Sequence, residues 1–172
     1  ETLRTGATPM VFTFPGSAVR ACDLAMQKGI PVAGTRFLVA GEPITRARRD
    51  TMRKAGCTAI PRYGSIENGA IGYGCPHAEH ADEVHLMDHM HVLIQARELA
   101  ATIGVVPPEA LLITNLDCYS PFLMLNVSMG DQAEMHVTSA DCGCLFSQMG
   151  LHTRLHDIRS FEKLTACGVT FH

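Results

Sequence analysis

Two thiols one residue apart, Cys142-Gly143-Cys144 in the turn-like stretch DCGC, are the densest potential chemistry in this sequence. A third, Cys75, closes the glycine-rich run RYGSIENGAIGYGC (62–75), and His77, His80 and His85 follow it. Thiolate and imidazole are the preferred ligands of tetrahedral zinc, and a site closed by four protein ligands holds structure rather than performing catalysis. Two thiolates on one turn supply half of that geometry. Cys75 with one of the three histidines supplies the rest, provided that the two halves of the chain meet. Unrelated buried cysteines with surface histidines are the plainer alternative. A redox pair is a third, although no resolving partner or electropositive pocket is evident beside it. Cys22, Cys57, Cys118 and Cys167 lie in apolar segments and read as small core residues. His89, His91, His136, His152 and His156 have no spacing that singles them out, and read as surface or core residues.

Two carboxylates stand out by setting. Glu67 follows Tyr63-Gly64 at a predicted strand end, where it could bind a cation or a phosphate-associated magnesium ion. Asp131, in MGDQAE, is either part of a Gly-Asp turn or a hydrogen-bonding partner for sugar hydroxyls. The four glycines at 64, 69, 72 and 74 exceed what one turn requires, and imply that something approaches the backbone closely. The sequence carries no GxSxG, HExxH, GxxxxGK[ST] or dinucleotide-type GxGxxG in proper context.

The elements that must position these residues change character along the chain. MVFTF (10–14), RFLVAG (36–41) and CTAIPRYG (57–64) read as strands, with Pro61 arguing for a strand end or an edge. Between them run two helices, one N-capped at Ser17 and C-capped at Gly29, the other capped at Thr45 and ended by Gly56. Strand–helix–strand at this spacing predicts a parallel crossover unit, whose functional crevice lies beyond the carboxyl ends of the strands. GEP (41–43) and YGSIENG (63–69) fall at those ends. Arg46, Arg48, Arg49, Arg53 and Lys54 recur at helical spacing and read as a solvated helix face. After HVLIQARELA (91–100), the segments LLITNL, FLMLNV, AEMHVT and LHTRLHDI alternate with turn signals and predict a mainly β region. The expected fold is therefore α/β: a parallel-sheet unit over 1–105, followed by a small, distorted β-barrel-like subdomain over 106–172.

Bulk properties narrow the function classes. A formal charge of −3, without a basic excess, argues against nucleic acid as a partner. No apolar run approaches the ~20 residues of a membrane-spanning helix, so a cytoplasmic protein is expected, with a homodimer allowed. With 172 residues, the chain needs neither disulfide nor metal merely to fold. Its start at Glu1 and its strand-like VTFH ending suit a piece of something longer.

Taken in order, several segments resemble a known family. FLVAGEPITRARRDTMRKAG, YGSIENGAIGYGC and VHLMDHMHVLI are similar to the middle of adenylate-forming enzymes of the acyl-CoA synthetase superfamily, with the flavour of the phenylacetate–CoA ligase and coenzyme F390 synthetase-like branch. NVSMGD resembles that family's (Y/R)xTGD motif, and IRSFEKLTACGVTF its hinge segment. The resemblance implies an acid–thiol ligase: ATP and a carboxylic acid form an acyl-adenylate and pyrophosphate, and CoA then takes the acyl group. It further implies that Gly41, Glu42 and Pro43 line the adenine side, Tyr63 stacks near the adenine, and Gly64 and Ser65 lie beside the α-phosphate. Glu67 would hold Mg2+ as the catalytic carboxylate, and Asp131 and Arg159 would bind the ribose. Relatives with a structural Zn2+ would place its ligands on Cys75, His85, Cys142 and Cys144, which selects His85 among the three histidines. Ile66, Met129, Phe161 and Glu162 stand where the family motifs carry other residues. The phosphate loop and the C-terminal domain with its catalytic lysine are missing from this sequence, so a fragment inactive by itself is expected. The competing expectation is a zinc-stapled nucleotide- or protein-binding domain without ligase activity.

Overall fold

The computed structural model describes residues 6–99, 106–118, 120, 122–138, 142–162, 164–166 and 169–171, the last two stretches in backbone only. The chain opens with β1 (Met10–Thr13), α1 (Pro15–Lys28), β2 (Arg36–Val39), α2 (Arg46–Lys54) and β3 (Thr58–Ser65). β1 pairs with β2 and β2 with β3, both in parallel. One face of each helix closes over these strands: Ala18 and Cys22 of α1, Met52 of α2, and Phe37 and Val39 of β2 form a buried cluster with Ile44 and Cys57.

The helix boundaries follow local chemistry. α1 begins two residues before the predicted Ser17 cap, because Pro15 occupies the first helical turn, where a missing N–H leaves nothing unpaired. The Gly29 amide closes its other end on the Ala25 and Met26 carbonyls. Thr45 caps α2 as its type predicts, accepting a hydrogen bond from the Arg48 amide at 3.3 Å. The basic residues of α2 are only partly a solvated face. Arg48 ties back to Glu42 and the Pro43 carbonyl, and Arg49 donates to the His80 carbonyl.

From β3 onward the sheet is antiparallel. Residues Thr58–Pro61 of β3 pair with β2, and Arg62–Ser65 with β4 (Gly69–Gly74). Pro61 is thus neither at a strand end nor on an edge strand; its missing amide falls where β3 changes partners. β5 (Val84–Leu86), β6 (His91–Gln95), β7 (Ala110–Asn115), β8 (Val127–Val137) and β9 (Thr153–Ser160) complete a nine-stranded sheet in the order β1-β2-β3-β4-β5-β9-β8-β7-β6. The sheet is open, with β1 and β6 at its edges, and strands from both sides of residue 105 build its antiparallel part. A second cluster, Ile71, Val84, Leu86, Leu93, Leu111, Ile113, Ala133 and Leu155, forms the core there. A short helix, α3 (Leu145–Gln148), precedes β9, and β10 (Leu164–Ala166) with β11 (Val169–Phe171) forms a separate hairpin.

Two local expectations differ. FLMLNV is not a strand over 122–126, where Leu123 and Leu125 are exposed; β8 starts only at Val127. The Gly130-Asp131 step lies inside β8, with Gly130 at φ 76°, rather than in a connecting turn. Among the described residues, no helix is long and apolar enough to cross a membrane.

Candidate metal centre

Adjacent strands bring the metal-type ligands together. β4 delivers Cys75 one residue past its end, and β5 lies beside it, with His85 opposite Tyr73. The loop after β8 supplies Cys142 and Cys144, the latter as the N-cap of α3. Gly143, at φ 73°, turns the backbone between these two thiols through a conformation that side-chain-bearing residues resist. One ligand atom from each of Cys75, His85, Cys142 and Cys144 lies within 4.8 Å of the others. Cys75 Sγ is 3.7 Å from Cys142 Sγ, and His85 Nε2 is 3.7 Å from Cys142 Sγ and 3.4 Å from Cys144 Sγ. His77 and His80 do not belong to this cluster.

The surroundings suit a metal. His85 Nδ1 is 2.7 Å from the Leu151 carbonyl, a partner that can only accept. The proton therefore belongs on Nδ1, which leaves the Nε2 lone pair facing the thiols, the tautomer that metal ligation requires. Burial, strongest among several influences, holds His85 below the ordinary imidazole range and keeps the ring neutral. The His77 amide donates to Cys75 Sγ at 3.3 Å and the Ser147 amide to Cys144 Sγ at 3.4 Å, bonds that favour thiolates. Burial pushes the Cys75 thiol up to about 12, so a nearby cation must draw off that proton. At Cys142 burial acts in the same sense, but hydrogen bonds from the Cys144 backbone and from the neighbouring thiols outweigh it and lower its value. The Phe146 ring packs 5.6 Å from the His85 ring, between centroids.

Arg154, opposite His85 on β9, stands beside the thiols and pairs with the buried Glu83 carboxylate at 2.9 Å. The Glu83 carboxylate already balances the guanidinium, so the pair brings no net charge to the thiols. Sequence reading missed both residues, because they are 71 positions apart and only strand pairing joins them.

Of the other expected site residues, Gly41, Glu42 and Pro43 follow β2, Tyr63 to Glu67 lie at the end of β3, and Asp131 and Arg159 come from β8 and β9. Tyr63 Oη donates to Asp131 Oδ2 at 3.0 Å, joining residues 68 positions apart. Burial first and the aspartate second raise the Tyr63 hydroxyl well above the usual phenol range. Gly64 packs so tightly on the Gly69 carbonyl that a Cβ there would collide with backbone. Ser65 Oγ accepts from the Asn68 amide at 3.1 Å, inside the β3–β4 hairpin whose tip carries Ile66 and Glu67. Gly41 stands at φ 81° against the Phe14 ring, and the Glu42 carboxylate is spent on the Gly16 amide and on Arg48. Pro43 and the exposed Arg159 line a separate cleft of about 500 Å3, which Tyr63, Glu67 and Asp131 do not line.

Among the remaining cysteines, Cys22 and Cys57 are buried as expected, whereas Cys118 is exposed and not a core residue; Cys167 lies outside the described residues. His91 is fully buried, its Nε2 3.0 Å from the Ala70 carbonyl.

No family model matches the sequence, and no curated protein matches it. Among solved structures, the chain is similar to the acyl-CoA synthetase (AMP-forming)/AMP-acid ligase II-like protein from Dyadobacter fermentans DSM 18053, at 15% identity and a TM-score of 0.47. The alignment covers 94% of this chain and 39% of that protein, so the chain spans well under half of its length.

Proposed function

We propose that this chain is the zinc-stapled nucleotide-binding portion of an adenylate-forming acid–thiol ligase, acting on ATP, a carboxylic acid and CoA in its full-length form. The observation that carries the reading is the Tyr63–Asp131 hydrogen bond, which joins the YGSIE and SMGD segments. Both segments resemble motifs of adenylate-forming enzymes. Asp131 also pairs in register with Ser160, one residue from Arg159, so the two ribose ligands of this reading occupy neighbouring strands.

In this reading, Tyr63 presents its ring to the adenine while its hydroxyl orients Asp131 toward the ribose hydroxyls. The Gly64 backbone and Ser65 face the α-phosphate, and Gly41, Glu42 and Pro43 border the base. Glu42, already bonded to Gly16 and Arg48, acts by fixing the loop after β2. Glu67 would hold Mg2+, which when bound would neutralise phosphate charge as the substrate carboxylate attacks the α-phosphorus and pyrophosphate leaves. Cys75, His85, Cys142 and Cys144 would hold Zn2+, which cross-links the β4–β5 region to the loop before α3. Catalysis is not asked of this piece alone.

Native mass spectrometry of the chain with AMP and Mg2+ tests the reading. The wild type is expected to bind AMP, with Asp131→Ala weakening it about ten-fold, the worth of a hydrogen bond or two, and Glu67→Gln weakening it only with Mg2+ present. Equal AMP binding by all three proteins would remove the pocket assignment. Retained zinc without any AMP adduct would instead leave either a nucleotide pocket that this piece does not complete or a zinc-stapled protein-binding domain without ligase activity.

A further inference from the structure

Beside Glu83 and Arg154, along a cleft that Cys142 also lines, lies a second group of ligand-type side chains. His80, His156 and Asp157 each place a ligand atom within 4.8 Å of the others. The His80 and His156 rings stack with centroids 3.8 Å apart and planes 7° apart, so one ring must turn about its Cβ–Cγ bond before both lone pairs meet one ion, and His136 approaches His156 at 5.5 Å. His156 Nδ1 is 3.2 Å from Asp157 Oδ2.

Neighbouring residues on a strand normally point to opposite faces. His156 and Asp157 escape that rule because β9 is irregular here: Glu134 pairs with His156 and Gln132 with Arg159, so Asp157 and Ile158 together oppose Ala133. Asp157 sits at φ 52°, and this bulge turns its carboxylate toward His156. The Ile158 amide donates to Asp82 Oδ2 at 2.8 Å. Glu83, through one oxygen, accepts from the Glu79 and His80 amides at 3.1 and 3.3 Å, and through the other pairs with Arg154 of β9. Arg49 of α2 holds the His80 carbonyl at 3.1 Å. The loop bearing His80 is thus fastened to the bulge bearing its two companions.

The group also stands where two clefts meet. His80 and Asp157 line the cleft of about 500 Å3, and His80 and His136 line its neighbour of about 440 Å3. The geometry points to a second metal site, formed by His80, His156 and Asp157 with His136 close by, which takes a first-row divalent transition ion such as Zn2+, Co2+ or Ni2+. Imidazole with carboxylate suits these ions. Three protein ligands beside open clefts leave positions for water or an exogenous anion, unlike the closed thiol-rich centre. The inference is independent of the nucleotide reading.

The test is titration of the zinc-loaded 172-residue chain with Co2+ near neutral pH, followed by calorimetry and visible absorption. The expected result is one additional equivalent bound, with weak d–d bands and no thiolate-to-cobalt charge transfer. His80→Ala and Asp157→Asn should each weaken it by more than about ten-fold. Asparagine tolerates the left-handed backbone of position 157, so that variant tests the carboxylate rather than the bulge. His89→Ala, an exposed histidine outside the group, should bind like wild type, and circular dichroism should show all variants folded. Failure to bind a second equivalent overturns the proposal. So does a second equivalent held equally by His80→Ala and Asp157→Asn, or one seen only with thiolate charge transfer.

Discussion

His85 differs from His77 and His80 through a single backbone carbonyl. Leu151 engages its Nδ1, which directs Nε2 at the thiols. Nothing in the spacing of the three histidines reveals this, because only His85 lies on a strand, β5, and the other two lie in the loop before it. The thiols, by contrast, were legible by type and position, since C-x-C with a central glycine needs only local geometry. Glu83 and Arg154 were not legible at all, each being an ordinary charge in sequence and a buried partner only after β5 and β9 pair. Because structural zinc contributes on the order of 10 kcal/mol to small metal-folded domains, removing two of the proposed ligands should be felt throughout this centre. Cys142→Ser combined with Cys144→Ser is expected to yield a metal-free chain with a lower melting temperature, measured by elemental analysis and thermal unfolding. Unchanged zinc content in that variant would refute the ligand set.

At the scale of elements, the parallel start of the sheet was readable because its helices announce themselves through caps and periodicity. β4 was not, since GAIGYG has three glycines and little strand propensity. Gly74 closes on Pro61 of β3 and Gly72 on Val84 and His85 of β5, whereas Gly69 supplies a φ of 68° at the turn, and only pairing discloses these roles. The loop before β5 is fastened to β9 chiefly by the Glu83–Arg154 pair, with side-chain exposures of 2% and 11%. Burial works against the Glu83 charge, but the His80 amide, Arg154 and the Glu79 amide together outweigh it and hold its pKa below the ordinary 4.5. A depressed carboxylate stabilises the fold fully above its unfolded value, and that contribution disappears as pH falls through the lower folded value. Arg154→Met, which strands a buried charge, should therefore cost about 3–5 kcal/mol at pH 7. The stability difference between wild type and Glu83→Gln should shrink as pH drops below about 4.5. A difference that stayed constant across that range in denaturant titrations would show that Glu83 holds no folded-state proton linkage.

For the whole molecule, one sheet serves two hydrophobic clusters. Ala18, Cys22, Phe37, Val39, Ile44, Met52 and Cys57 form one beneath the helices, whereas the second lies among the antiparallel strands that present the thiols and histidines. The first cluster shares no residue with the Cys75, His85, Cys142 and Cys144 group. In the proposed centre the antiparallel region would depend on the Cys142–Cys144 turn more directly, because the loop before β9 carries two of the four candidate ligands and β5 a third. Regions with separate cores open with separate free energies, so metal removal should not loosen the chain evenly. Chelation is expected to raise hydrogen-exchange rates at the His77 and Ser147 amides, which donate to ligand sulfurs, while the amides of α1 and β2 keep their protection. Exchange that accelerates equally in both regions would mean that β3, shared between the parallel and antiparallel pairings, couples them into a single cooperative unit.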